Sequence, residues 1–496
     1  MFLFLGGILL LAVGYLTYGR FVEKVLAPDG RDTPAKLSCD GVDYVVLPHW
    51  RNMLIQLLNI AGIGPVIGVI LGIKFGTIVF IIIPIGNIIA GAVHDFLGGM
   101  ISLRHNGANL PAIVRMNLGR NYAHFFSVFM VFLLLLVVAV FINVPATLID
   151  KLIPEASIFW VAVGVIFLYY ICATLFPVDK IIGAVYPFFG AVLLLGTFAI
   201  FIALVIAGVK DPALFTESAG FREHMFTPEN YNPIIPMLFV TIACGIISGF
   251  HATQSPIIAR TMASEYQARS SFYGMMIVEG VIAMIWAAAG LAIYNLFPEK
   301  MLMDPNQVLN DITRHFLGTW MGGLTVIGVI VLAITSGDTA MRSLRLSLAE
   351  IFHLPQQSVR NRFLLCIPLI VIVALLLAWS NKSAQTFKQL WNYFAWGNQV
   401  LAASTLMAAA VWLASLRKNL WIAIVPGVFM TFIVTTYILW ISPSHSVGGA
   451  APMGFGLPLN LAYVLAGVIS LVFAVWVYLR GKKMARESSQ PAEKTE

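Results

Sequence analysis

Charge is what this sequence has least of. Only 11% of its 496 residues are Asp, Glu, Lys or Arg, against 59% hydrophobic. Soluble domains carry roughly 25% charged residues, so a fold this poor in charge has no means of covering a wet surface. Cysteine is scarce too. Cys39, Cys172, Cys244 and Cys366 lie far apart, which excludes a disulfide framework and offers no metal-ligand spacing. Three of them fall inside apolar spans, where cysteine packs as a small hydrophobe. Strand-length alternation of the outer-membrane barrel type is missing. What is present is long apolar blocks, such as residues 125–142, 191–209 and 363–378. Runs of about 20 apolar residues match the hydrocarbon thickness of a bilayer. The fold class is therefore an all-α polytopic membrane protein.

The formal charge of +7 does not imply a nucleic-acid partner, because the basic residues occupy short loops between apolar spans. About thirteen helices are predicted. Counted on alternating sides, 22 of the 30 Lys and Arg residues fall on one side. The positive-inside rule makes that side cytoplasmic, with the N-terminus outside and the C-terminus inside a multi-pass inner membrane protein. Residues 1–18 imitate a signal peptide, but Arg20 and Lys24 follow the apolar run instead of preceding it; a retained helix over 1–20 is expected. A cytoplasmic loop then covers 21–51, an extracytoplasmic loop 210–232, two final helices 416–480 and a disordered tail 481–496.

Between these flanks lie ten spans in two sets of five, 52–209 and 233–415. An odd number per set makes the second an inverted copy of the first. The leading span of each set, 52–73 and 233–256, is interrupted. The first interruption runs 59–65 (NIAGIGP) and the second 249–256 (GFHATQSP). Glycine weakens a helix, and proline removes a donor and clashes with the preceding turn. Unwound backbone inside a bilayer is tolerated only where it is buried in protein or lines a cavity. Matching breaks in inverted repeats mark a transporter's substrate site. Freed amides suit a carboxylate and freed carbonyls a cation. The predicted substrate residues are Asn59, Ala61, Gly62 and Gly64 from the first break, with His251, Thr253, Gln254 and Ser255 from the second. The bland alternative is a pair of kinks.

Polar residues within spans are the candidates to bind the predicted coupling ion, H+ or Na+; no other cofactor is expected. Span 319–342 carries Thr335, Ser336, Asp338 and Thr339. Thr335 and Thr339 share a helix face. With Ser336 and carbonyls from the first break, they form a possible Na+ site. Asp338 either carries a coupling proton or pairs with Arg342 one turn on, since an intramembrane carboxylate is costly. His94 and Asp95 either relay protons or form an interfacial pair that snorkels to water. Lys180 either anchors the interface or mimics a bound cation. Glu279 reads as structural or gating. Asn143, Asn392, Asn398 and Gln399 read as interhelical glue.

Four stretches in order, 59–68 (NIAGIGPVIG), 91–96 (GAVHDF), 245–260 (GIISGFHATQSPIIAR) and 335–342 (TSGDTAMR), resemble the carbon-starvation protein A family. The likeness runs from about residue 38 to 415. It implies a LeuT-type fold of the amino acid–polyamine–organocation superfamily, with one extra N-terminal and two extra C-terminal helices around a 5+5 core. It also implies uptake of peptides or pyruvate, usually proton-coupled. In LeuT-type folds the first and sixth core helices hold the substrate and the first and eighth a cation; here these are spans 52–73, 233–256 and 319–342.

The leading expectation is a symporter importing a small carboxylate-bearing solute, pyruvate or a short peptide, by alternating access. A channel would need a continuous polar pore. An intramembrane enzyme would need a nucleophile with a matching base, and no HExxH run is present. A nutrient sensor would be expected to carry a signalling domain.

Overall fold

A computed structural model describes residues 1–41, 43–153, 155, 157–175, 178–217, 233–356, 358–442 and 453–487. Among them every regular element is helical. A membrane imposes this, because each backbone N–H and C=O must be satisfied within its own segment. In chain order the helices begin with α1 (Phe2–Leu16), α2 (Tyr18–Leu26), α3 (His49–Ile60) and α4 (Gly64–Phe75). They continue through α5 (Val79–Arg104), α6 (Leu110–Leu118), α7 (Arg120–Leu152), α8 (Phe159–Leu175) and α9 (Val178–Lys210). After residue 233 come α10 (Gly249–Ala259), α11 (Glu265–Leu296), α12 (Pro305–Ile351) and α13 (Val359–Ser380). The chain ends with α14 (Ala384–Ser415), α15 (Trp421–Trp440) and α16 (Leu459–Glu487).

By length and composition ten spans among the described residues can cross a bilayer, α1 with α2 counting as one, and α3 with α4 makes one bent pair more. The predicted span 233–256 is not one helix: short turns at Ile234–Leu238, Phe239–Thr241 and Ala243–Ile246 precede α10. Span 319–342 is the middle of the 47-residue α12, whose direction changes at Gly318, where φ is 73°. Only glycine takes that conformation without strain. The predicted loop 21–51 carries most of α2, whose Gly19, Val22 and Leu26 are buried. The predicted tail is helical as far as Glu487. Most of the loop 210–232 lies outside the described residues.

Burial separates core from rim. In the most apolar stretch of α11, and of α14, 89% of residues are buried, against 28% for α1 with α2 and 22% for α16. The peripheral helices turn Leu, Val and Phe outward, as lipid permits. α3 is enclosed by α9, α10, α11 and α12, while α10 packs on α5 and α14. Both short helices next to the breaks are thus walled in by full-length neighbours.

Candidate functional site

The first break is a true interruption. α3 stops after Ile60; Ala61 (φ −72°, ψ 60°) leaves the helix, and Gly62 N–H turns back to donate to Ile60 O at 2.7 Å. α4 resumes at Gly64 with a wide π-turn, bent 54° from α3. Gly62 is required by space as well as by flexibility, since a Cβ there would stand 2.8 Å from the Phe141 ring. Asn59, at the last turn of α3, is fully buried, and neither end of its side-chain amide has a hydrogen-bond partner among the described residues. The same holds for Gln56, on the same face three residues earlier. Gln56 escaped the sequence reading, although its spacing from Asn59 was a signal that could have found it.

The second break lies elsewhere than predicted. Residues 249–256 are not unwound; they begin α10, with Pro256 accommodated inside it. The extended residues are Ile247 (φ −161°, ψ 134°) and Ser248 (φ −135°, ψ 122°). Gly249 serves close packing, because a Cβ there would lie 2.2 Å from Asn398 O in α14. The amide freed by the break is not left for an anion: Phe250 N–H donates to Asn398 Oδ1 at 2.7 Å, and Asn398 Nδ2 donates to Ser248 Oγ at 2.9 Å. Thr253 and Ser255 spend their hydroxyls on α10 itself, donating to Phe250 O and His251 O. Gln254 donates to Thr253 Oγ1 at 3.0 Å and keeps Oε1 without a partner among the described residues. The Phe141 ring, against Gly62, also meets Phe250 edge-on at 5.9 Å, so one aromatic side chain stands between the two breaks.

His251 ties the second break to α5. Its Nδ1 lies 3.0 and 3.2 Å from the two Asp95 oxygens, and His94 Nδ1 lies 2.8 Å from Asp95 Oδ1. On its other edge His251 Nε2 faces Glu279 Oε2 of α11 at 3.7 Å. All four residues are fully buried, so the interfacial, snorkelling reading of His94 and Asp95 is wrong. The cause is topological: α5 passes behind α10, and Gly91 lets its backbone close on Ile246 O. An ionised Asp95 accepts N–H bonds from both imidazoles, leaving both Nε2 atoms without hydrogens in the neutral tautomers. Two carboxyls and two imidazoles in an apolar interior are stable only near overall neutrality.

α12 borders the first break. Ser336 Oγ donates to Leu58 O at 3.0 Å, and Thr335 Oγ1 lies 3.5 Å from the same carbonyl. Thr339 Oγ1 donates to Ser336 O at 3.0 Å. Asp338 accepts from Tyr169 of α8 at 2.6 Å, while Arg342 pairs with Asp43 at 3.4 Å. Tyr169 carried no sequence signal, being one of many aromatic residues in an apolar span. The structure therefore makes two groups. His94, Asp95, His251 and Glu279 meet at the second break; Thr335 and Ser336 meet Leu58 at the first, with Asp338 and Thr339 alongside on α12. The backbone of Lys180 belongs to α9, but its side chain lies outside the described residues. Asn143 of α7 donates to Asn381 at 2.9 Å, at the end of α13. Gln399 of α14 donates to Phe239 O at 3.1 Å.

The sequence profile described as carbon starvation protein CstA matches residues 1–167, 160–313 and 303–437. An uncharacterized membrane protein of Haemophilus influenzae is 40% identical over 57% of the chain and 89% of its own length. The peptide transporter CstA of Escherichia coli is 24% identical over 88% of the chain and 80% of that protein. The pyruvate/proton symporter BtsT of Escherichia coli is 26% identical over 55% of the chain, and the match spans 46% of that protein. Among solved structures, a point mutant of the Eremococcus coleocola manganese transporter superposes with a TM-score of 0.54 at 14% identity, covering 90% of the chain and 99% of that structure. MhsT in complex with L-phenylalanine gives 0.53 at 13% identity, covering 88% and 99%. These likenesses establish a LeuT-like fold. The named relatives and fold neighbours are transporters, not enzymes.

Proposed function

The chain belongs to the carbon starvation protein CstA family, and from that premise we propose that it is a proton-coupled symporter that imports a small carboxylate-bearing nutrient, pyruvate or a short peptide. The observation that carries this reading is the Asp95–His251–Glu279 array, buried beside a helix break that packs against a second one through Phe141. Histidine changes charge near physiological pH, and here it links two carboxyls on separate helices. Proton gain or loss there alters attraction between α5, α10 and α11, and so weights one packing of the bundle over another. Gln56 and Asn59, whose side-chain amides have no partner among the described residues, and Gln254, whose Oε1 has none there, are the cargo contacts in this reading. The excess of basic residues on one side supports a cytoplasmic Arg342 end of α12 and an outside N-terminus in this reading. The alternating transition is a rearrangement of the short helices against the long ones.

A second reading, sodium coupling, is favoured by the Ser336 and Thr335 hydroxyls beside Leu58 O. Uptake of labelled pyruvate and dipeptides by purified protein in liposomes, under separately imposed pH and sodium gradients, tests both. Saturable accumulation driven by the pH gradient is expected. Accumulation that follows sodium alone would replace the proton reading, and linear uptake of every solute without gradient dependence would indicate a channel.

A further inference from the structure

Beyond Thr339, at the basic end of α12, four arginines gather around one carboxylate. Arg342 and Arg345 of α12, Arg362 of α13 and Arg260 after α10 are each at most 6% exposed. Asp43 pairs with Arg342 at 3.4 Å and with Arg345 at 3.2 Å. Burial by itself would raise the Asp43 carboxyl, but Arg345, Arg342 and the two further arginines outweigh it and hold it below its usual value. Arg342 and Arg362 also donate to Ala173 O and Leu175 O, in the last turn of α8. That is the negative end of a helix. Arg260 donates to Gly107 O at 2.9 Å. Arg345 has no such backbone partner among the described residues: it donates to Gln356 at 2.6 Å and to Asp43, and its buried Nε has no partner among them either.

Asp43 does not belong to the helical bundle. It sits on a strap, residues 43–47, that leads into α3. Val45 N–H donates to Arg260 O at 3.2 Å and Leu47 N–H to Thr261 O at 3.0 Å. The strap thereby joins the foot of α3 to the end of α10, while Asp43 joins it to α12. Beside it lies a polar cavity of about 750 Å³ lined by Asp43, Tyr44, Asn106, Arg260, Glu350 and Gln356. Among the described residues Asp43 is the one carboxylate that meets Arg345, and it is shared with Arg342; a buried charge that is incompletely paired is expensive. The planar guanidinium fork accepts carboxylate and phosphate oxygens alike.

We propose that Arg345 and Arg342 form an anion-binding site in which Asp43 is a tethered stand-in. A free small oxyanion, a carboxylate or inorganic phosphate, enters through the adjoining cavity and displaces it. Displacement frees the strap from α12 and loosens its hold on α3 and α10. The proposal rests on the transport reading only in assigning this end to the cytoplasm, so the oxyanion comes either from released cargo or from the cytosolic phosphate pool.

The test is hydrogen exchange on the wild-type chain in lipid nanodiscs, with sodium formate, sodium pyruvate and sodium phosphate each compared with sodium chloride at equal ionic strength. Exchange of the Val45 and Leu47 amides should rise saturably with formate, and with pyruvate or phosphate according to the source, but not with chloride. Equal exchange in all four salts would overturn the proposal. In Asp43→Asn, formate should raise the unfolding temperature with a half-effect at about tenfold lower concentration than in wild type, a gain of about 1.4 kcal/mol in apparent affinity. In Arg345→Gln the response should vanish; a response that survives there also overturns the site. The wild-type exchange decides the matter if either variant fails to fold. None of these measurements requires uptake, so an inactive transporter and an absent anion site give different results.

Discussion

The two helix breaks occupy corresponding places in the chain and are finished in opposite ways. At the first, α3 ends on a carbonyl, Leu58 O, that draws hydroxyls from Ser336 and Thr335 of α12. Two amide side chains, Gln56 and Asn59, remain without partners among the described residues. At the second, Asn398 closes the freed Phe250 amide from outside, and what α10 presents is an imidazole between two carboxyls. One break offers neutral oxygen and amide groups; the other offers an imidazole and carboxyls. Equivalent positions in a repeat therefore need not do equivalent chemistry. The difference follows from which neighbour packs on each break, α12 on one side and α5 with α14 on the other.

If the second break is the proton-handling one, Asp95→Asn should do the most damage. An amide cannot hold two imidazole N–H groups in place, and pH-driven uptake should fall by about a hundredfold, the scale of a positioned proton-transfer group. Initial rates in liposomes measure it, and near-wild-type rates would erase the contrast between the breaks. Next in size, Asn398→Ala should lower stability by about 2 kcal/mol, because the buried Phe250 amide loses its acceptor. Thermal unfolding in nanodiscs reads this directly; an unchanged midpoint would mean that the amide finds another partner. Asp338→Asn should reduce gradient-driven accumulation by about tenfold, a loss of about 1.4 kcal/mol, with folding intact. Should accumulation be untouched, the first break has no part in coupling. The smallest effect belongs to Tyr169→Phe, which removes the 2.6 Å bond to Asp338. It should cost uptake about threefold, under 1 kcal/mol. A loss equal to that of Asp338→Asn would show that the hydroxyl, not the carboxylate, is the working group.

How much of this was legible beforehand depended on range. The first interruption, predicted over 59–65 and found at 61–63, was readable because glycine and proline act on their own backbone, whatever surrounds them. The second was displaced by a few residues, because Gly249 and Pro256 look like breakers in sequence yet serve packing and tolerated helix in space. His94 and Asp95 read equally as a proton relay or an interfacial pair, since helical position alone places them near an end. Only the crossing of α5 behind α10 shows that they are buried against His251. Tyr169 gave no warning, being one of many aromatic residues within the spans; Gln56 was signalled only by its spacing from Asn59, and Asn398 read as interhelical glue without a named partner.

From the chain alone came the membrane class, the run of helices and the first break, all consequences of composition and local backbone preference, which neighbouring residues fix between themselves. The tertiary structure decided which side chains share a site. Asp95, His251 and Glu279 are separated by up to 184 positions, and Asp43 by about 300 from its arginines. Contacts across such distances arise from how whole helices pack, and no local rule encodes them.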